Sequence, residues 1–308
     1  MIESLTPLLA SAVALAMPLV LAALGELVVE RSGVLNLGLE GMMLLGALAS
    51  FAAVSHGAAL WLALLVAMLA GAAAALLFGF VTITLLANQV AAGLSLTILG
   101  TGVSAFLGRQ YVGFRAPVTF EELPIPLLRD LPLIGPALFS MNVLGYLTVA
   151  LVAATAWFLY RTRAGLAMRS IGESPAVARA LGLHVSRARY LAVAYGGAMA
   201  GLAGCYYAVA QFKMWQEGLT SGNGWISLAL VVFATWRPLR VALGGLLFGI
   251  VSALGLYLQA VGIQVSTFAL AALPYLATVA VLVLTSADLQ MLRRHAPASL
   301  GQPFHDDS

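Results

Sequence analysis

Long uncharged stretches alternate with short polar ones along this chain: residues 4–25, 41–108, 131–160, 190–212, 218–236 and 241–287 contain no Asp, Glu, Lys or Arg. A helix needs about 20 apolar residues to cross the roughly 30 Å hydrocarbon layer of a bilayer. The windows therefore divide into about one, three, one, one, one and two crossings. The pattern predicts an all-α integral membrane protein with about nine transmembrane helices, at 7–25, 34–54, 59–86, 89–107, 142–160, 189–210, 222–236, 240–258 and 267–286. The third would be about 42 Å long at 1.5 Å per residue, so tilt or protrusion must absorb the excess. The first has no basic residue before Arg31 and lacks the charged start of a cleavable signal peptide, so it reads as a retained helix.

Two triplets of helices, 34–107 and 222–286, follow the similar dipeptides Ser32-Gly33 and Ser221-Gly222 and enter the membrane from opposite sides. This is the pattern of an inverted repeat of three-helix units, which in transporters puts the substrate path at the repeat interface.

Composition strengthens the membrane reading: 62% of the 308 residues are hydrophobic and 9% charged, against about a quarter charged in an ordinary soluble domain. Cys205 is the only cysteine, which excludes an internal disulfide and a cysteine-based metal cluster. The net charge of +3 belongs to arginines clustered between helices, with no basic-aromatic stripe of the kind nucleic acid would need.

Those arginines predict orientation. Arg161, Arg163, Arg169, Arg179, Arg187 and Arg189 face a single acid, Glu173, so the positive-inside rule makes 161–188 a cytoplasmic loop. Arg237 and Arg240, and Arg293 and Arg294 in the 287–308 tail, then fall on the same side. The N-terminus is expected outside and the C-terminus inside. The 26–33 segment is expected to be a cytoplasmic loop, carrying Glu26 and Glu30 against Arg31. The 109–141 loop falls outside; its five prolines preclude a long regular helix and suit either a compact docking cap or a solvated connector.

Polar groups inside spans mark candidate chemistry. Asn36 and Glu40 lie near the start of the second helix among Gly33, Gly38 and Gly41, and an ionisable residue inside a span is a functional candidate. Glu40 stands only about 9 Å along a helix from Val34, so an interfacial structural role competes. Asn88, Gln89, Ser95 and Thr97 on the fourth helix, with Asn223 on the seventh, could hydrogen-bond an uncharged polar solute. Ser95 and Thr97 could equally bond their own helix backbone. His56, His184, His295 and His305 fall in loops or the tail, where solvated side chains are the ordinary outcome.

The 170–190 stretch carries the start and stop signals of a short helix. Ser174 suits the N-cap, Pro175 the first helical position and Gly182 the C-terminal cap. Ala176, Ala178 and Ala180 would give it a low-relief surface able to lie in another protein's groove.

Four segments, ERSGVLNLGLEGMMLLGA at 30–47, NQVAAGLSLTILG at 88–100, GESPAVARALGLHVSRARYLAVAYGGAMAGLAGCYY at 172–207 and GNGWISLALVVFATWRPLRVALGGLLFG at 222–249, resemble the branched-chain amino acid and simple-sugar permease family of ABC transporters. The likeness runs over most of the chain and looks closest to nucleoside-type permeases. It implies a single permease domain over 1–308, in the cytoplasmic (inner) membrane of a bacterium, that carries a nucleoside or simple-sugar-like solute. It also implies an ATP-binding-cassette ATPase, a second and usually different permease subunit, an extracytoplasmic solute-binding lipoprotein, and no cofactor. The stretch around Glu173, Ser174, Pro175, Ala176, Ala178, Arg179 and Gly182 corresponds to the family's coupling helix, and the path would border helices two, four and seven. The chain departs from the family at Thr235-Trp236 before Arg237-Pro238, where relatives often have a glycine-containing turn and Asn-Pro.

Two rival classes remain. An ion-coupled secondary transporter would ordinarily need several intramembrane carboxylates, and only Glu40 lies inside a predicted span. An intramembrane enzyme would need a paired carboxylate, an activated nucleophile or metal ligands at one depth, and none is legible. No phosphate-binding Walker loop occurs, so ATP hydrolysis would belong to another chain.

Overall fold

Each of the nine predicted segments overlaps a helix, but the helices differ in bounds and in reach. The structure, a computed structural model, describes residues 2–131, 134–261, 266–286 and 295–305. In chain order the helices are α1 (Ile2–Arg31), α2 (Leu39–Ser55), α3 (Leu60–Gly79), α4 (Gln89–Gly108), α5 (Ile134–Leu138), α6 (Val143–Arg161), α7 (Arg163–Glu173), α8 (Pro175–Ala180), α9 (Val185–Cys205), α10 (Asn223–Phe233), α11 (Pro238–Ala260) and α12 (Thr267–Ser286). Among the described residues six stretches are long and apolar enough to cross a membrane: Thr6–Arg31, Leu60–Thr84, Gln89–Tyr111, Val143–Arg161, Val185–Gln211 and Pro238–Ala260. α2 and α10, with 17 and 11 residues, are shorter apolar helices.

α9 and α1 are enclosed by the rest of the bundle, α9 packing on α1, α2 and α3 and α1 on α11. The sequence of α9 explains its place. A Cβ on Gly201 would collide with the backbone of Ala67, and one on Gly46 would collide with Gly201, so α9 lies wedged between α2 and α3 at backbone contact. α3, α4, α6 and α11 instead expose much of their apolar surface, including Leu69, Ile98, Phe106, Trp157 and Leu243.

Several sequence expectations need correction. α1 does not end at 25: it runs to Arg31, so Glu26 and Glu30 are helical and buried, not part of a solvated loop. Their partners make this tolerable. Glu26 accepts from the backbone nitrogen and Nδ2 of Asn36, at 3.1 and 3.2 Å, and Glu30 accepts from the Trp236 indole at 2.5 Å. α2 starts at Leu39 and not at 34, because Gly33 takes φ +88° and Asn36 Oδ1 accepts from the nitrogen of Gly38, stapling a non-helical turn. α10 stops at Phe233, three residues before the predicted end, and α9 begins four residues before its predicted start. α7 is an additional helix inside the expected 161–188 loop, N-capped by Thr162, whose Oγ1 accepts from Gly165 at 3.0 Å.

The termini of these elements sort into two ends of the bundle. Arg31, Arg169, Arg237 and His295 line one cavity, so the α1–α2 turn, α7, the α10–α11 turn and the described tail share one end. The tail is stitched there: Ser299 donates from its nitrogen and hydroxyl to the Gly172 carbonyl at 2.9 and 2.7 Å, and the Gly301 nitrogen donates to the Gly33 carbonyl at 3.2 Å. Arg293 and Arg294 lie outside the described residues. Away from this end, the 109–141 segment pairs Arg115 with Met214 and Glu122 with Asn142, and Tyr111 meets His56 edge-on.

Candidate functional site

α10 is a half-length helix that starts inside the bundle. Its 11 residues reach about 16 Å, roughly half the hydrocarbon thickness. Just beyond its C-terminus, Trp236 is held at the Arg31 end by Glu30 and by Arg31 Nη2, which donates to the Trp236 carbonyl at 3.0 Å. The N-terminus therefore lies about half a bilayer away from that end. A helix N-terminus presents unpaired N–H groups and favours an anion, and Glu40 supplies one. Its carboxylate accepts from the nitrogens of Gly222 and Gly224 at 2.9 and 2.6 Å and from Thr220 Oγ1 at 2.5 Å. Glu40 itself lies in the first turn of α2, so the starts of two broken helices are tied together through one side chain.

The two serine–glycine turns ahead of these helices have similar local geometry. Ser32 Oγ donates to Val29 O at 2.6 Å and Ser221 Oγ to Gly218 O at 3.2 Å, while Gly33 and Gly222 take φ of +88° and +82°. They differ downstream: α10 begins directly after Gly222, whereas five residues separate Gly33 from α2.

The remaining candidates divide into inward and outward sets. Asn36 is fully buried against Glu26. Gln89 Oε1 accepts from the Leu35 nitrogen at 2.7 Å, and Thr97 Oγ1 donates to the Leu37 carbonyl at 3.0 Å, so both fasten α4 to the non-helical turn before α2. Asn88 and Ser95 lie on the exposed side of α4; Asn88 also caps that helix by accepting from the Ala91 nitrogen at 3.0 Å. Thr101 and Gly102 continue this exposed face, which the sequence reading did not single out. Asn223 is half-buried at the first position of α10. Between α2, α3 and α4 lies a cavity of about 600 Å³ with an almost wholly apolar lining, Leu45, Ala52, Leu77 and Leu99 among it.

At the other candidate site the predicted local signals operate. Ser174 Oγ accepts from the Val177 nitrogen at 3.4 Å, Pro175 opens α8, and Gly182 follows it at φ +83°. The predicted surface needs correction. Ala178 is buried against Ile171 and Val185, because α8 lays that side on α7 and the start of α9. The exposed side carries Ala176, Val177, Ala180 and Leu181, with Val177 and Leu181 exposed by 59% and 75%. Glu173 ends α7 on the exposed side, and Arg179 is half-buried. Of the three alanines expected on the low-relief surface, Ala176 and Ala180 are exposed and Ala178 is not, while the exposure of Val177 and Leu181 is an apolar feature that alanine spacing did not reveal.

The Thr235-Trp236 turn is strained. Both residues adopt left-handed backbone, φ +49° and +53°, which favours glycine. Side chains hold it: Arg240 Nη1 donates to Thr235 Oγ1 at 2.6 Å, and the Trp236 indole is engaged by Glu30.

A family model of permease components of the branched-chain amino acid transport system matches residues 8–285. The chain is 39% identical to the putative glucose ABC transporter permease protein TsgC13 of Haloferax volcanii over 97% of both chains. It is 36% identical to the guanosine ABC transporter permease protein NupQ of Bacillus subtilis, covering 78% of this chain and 79% of the relative. Identity is 32% to the nucleoside ABC transporter permease protein NupC of Lactococcus lactis, covering 87% and 88%. These relatives are named as ABC permeases, and nothing in them supports the ion-coupled alternative.

Proposed function

The chain belongs to the family of branched-chain amino acid transport system permease components, and from this premise we propose that it carries a nucleoside or simple sugar into the cell as the permease subunit of an ABC importer. The observation that carries the solute class is similarity along nearly the whole chain to TsgC13, named as a putative glucose permease, and over most of it to guanosine and nucleoside permeases. α4 agrees with it. Residues 89–108 carry no charged side chain, and the exposed face offers the amide of Asn88 and the hydroxyls of Ser95 and Thr101, groups suited to neutral polyhydroxylated solutes.

On this reading all nine predicted segments belong to the membrane domain, with α2 and α10 as interrupted spans completed by the non-helical segments before them. Irregular backbone at membrane depth is tolerated where protein or water satisfies it, and the bonds to Asn36, Glu40 and Gln89 supply such partners. The path runs along the exposed face of α4, closed by a second permease subunit. α8 docks on the ATPase from the cytoplasm through Val177 and Leu181, and an extracytoplasmic receptor delivers solute beside the 109–141 loop. The N-terminus lies outside and the tail inside.

The test is uptake by proteoliposomes containing the chain with its co-purified subunits. ATP-dependent accumulation of guanosine or glucose, unaffected by dissipating ion gradients, is the expected result. Accumulation driven by a proton or sodium gradient without ATP would overturn it.

A further inference from the structure

We propose that a cavity of about 610 Å³ at the junction of α1, α6, α7 and α11 is a binding site for the phosphate headgroup of an anionic phospholipid. Arg31, Arg169, Arg237 and Arg240 all line it, and among the described residues its lining contains no carboxylate. The partners that hold these guanidinium groups do not neutralise them. Arg31 donates to the carbonyls of Trp236 and His295 at 3.0 and 3.2 Å, and Arg240 to the Thr235 hydroxyl at 2.6 Å. Arg169 stands over the Tyr160 ring, 5.2 Å from its centre, and Arg237 Nη2 lies 3.2 Å from His295 Nε2.

Among the described residues no carboxylate comes within 4.0 Å of any of the four. Two acids, Glu30 and Glu173, are in electrostatic reach of Arg31, but Glu30 is engaged by the Trp236 indole and Glu173 is exposed at the end of α7. Among the described residues, two acids against four arginines leave the cavity positive. Guanidinium groups match phosphate oxygens in geometry as well as charge.

The surroundings distinguish a lipid from a free phosphate ion. The cavity opens between the last turn of α6 and the first turn of α11, where spanning helices leave the membrane. From its rim Leu239, Leu243 and Leu247 rise along α11 at four-residue spacing, exposed by 65%, 68% and 44%. Such spacing forms one stripe on a helix, a bed for an acyl chain below a headgroup held by the arginines. Basic pockets between spans at a membrane face suit anionic headgroups, and an inorganic ion would have no use for the stripe.

The full-length chain would be reconstituted in vesicles of phosphatidylglycerol or of phosphatidylcholine, released, and its retained lipid counted by native mass spectrometry. Retention of phosphatidylglycerol over phosphatidylcholine is expected, falling about tenfold or more in Arg169→Gln/Arg240→Gln. Arg163→Gln, an exposed arginine of the same segment outside the cavity, should retain lipid normally. Leu243→Asn, on the exposed stripe, should also weaken retention. Equal retention of both lipids, or unchanged retention in both the double variant and Leu243→Asn, would overturn the site. Displacement of phosphatidylglycerol by millimolar inorganic phosphate would overturn its assignment to a lipid. Neither result bears on which solute is transported.

Discussion

The Glu40 carboxylate lies 2.6 Å from the backbone nitrogen of Gly224, joining the first turn of α2 to the first turn of α10 across 184 residues of sequence. With Gly222 and Thr220 as further donors, this acid is fully engaged by protein. We propose that it acts as a latch between two broken helices.

Glu40→Gln should therefore destabilise the chain itself. The amide retains one acceptor oxygen but turns an NH2 toward backbone N–H groups, leaving a buried donor without a partner at a cost of about 1–3 kcal/mol. A lower thermal midpoint of the detergent-purified variant is expected, accompanied by reduced uptake. An unchanged midpoint with uptake lost would return Glu40 to the solute path.

Thr235→Asn should have the opposite sign. A β-branched residue at φ +49° is strained, whereas Asn tolerates the left-handed region and keeps a side-chain oxygen for Arg240. A gain of about 0.5–1 kcal/mol is expected, read as a higher thermal midpoint. A fall would show that the threonine methyl contributes more packing than the backbone loses in strain.

The charge-free windows made the apolar helices legible, because membrane exclusion of charge is a local property of sequence. The caps of α8 were equally legible: Ser174, Pro175 and Gly182 act within one or two turns. What failed was anything decided by distant neighbours. Glu26 and Glu30 looked like loop residues because their partners, Asn36 and Trp236, lie across turns the charge pattern does not reveal. The side of Ala178 that is covered depends on Ile171 and Val185, from two other helices, and alanine gives no sign of its own direction.

Orientation has a direct check. With 161–188 and the α10–α11 turn on one end of the bundle, an alkaline phosphatase fusion near Glu121 should be active and one near Arg179 inactive. The reverse activities would place the arginine-rich end outside.

The path along α4 can be tested with cysteines in a Cys205→Ser background. Ser95→Cys and Asn88→Cys should react with water-soluble thiol reagents about tenfold faster than Thr97→Cys, which points at Leu37. Water-soluble reagents also separate a wet path from a lipid-facing one, since a cysteine in hydrocarbon is exposed yet stays protonated and unreactive. Uniformly inert cysteines at 88 and 95 in a transport-competent chain would remove this face from the path.

A docking role for α8 would make two different demands on neighbouring residues. Val177 and Leu181 are exposed on a capped helix whose other side is buried, so Val177→Glu and Leu181→Glu should leave membrane insertion and thermal stability within about 0.5 kcal/mol of the parent. Each puts an unpaired charge at a packed contact, which opposes association. ATP-dependent uptake and co-purification of the ATPase should both fall. Ala178→Glu tests the opposite side: a charge forced between Ile171 and Val185 should lower the thermal midpoint of the isolated chain before any partner is considered. Substituting Arg163, exposed at the start of α7 and away from α8, should do neither. If Val177→Glu and Leu181→Glu both kept full uptake and a normal complex while Ala178→Glu unfolded the chain, α8 would be a structural brace and the ATPase contact would lie elsewhere on this end of the bundle.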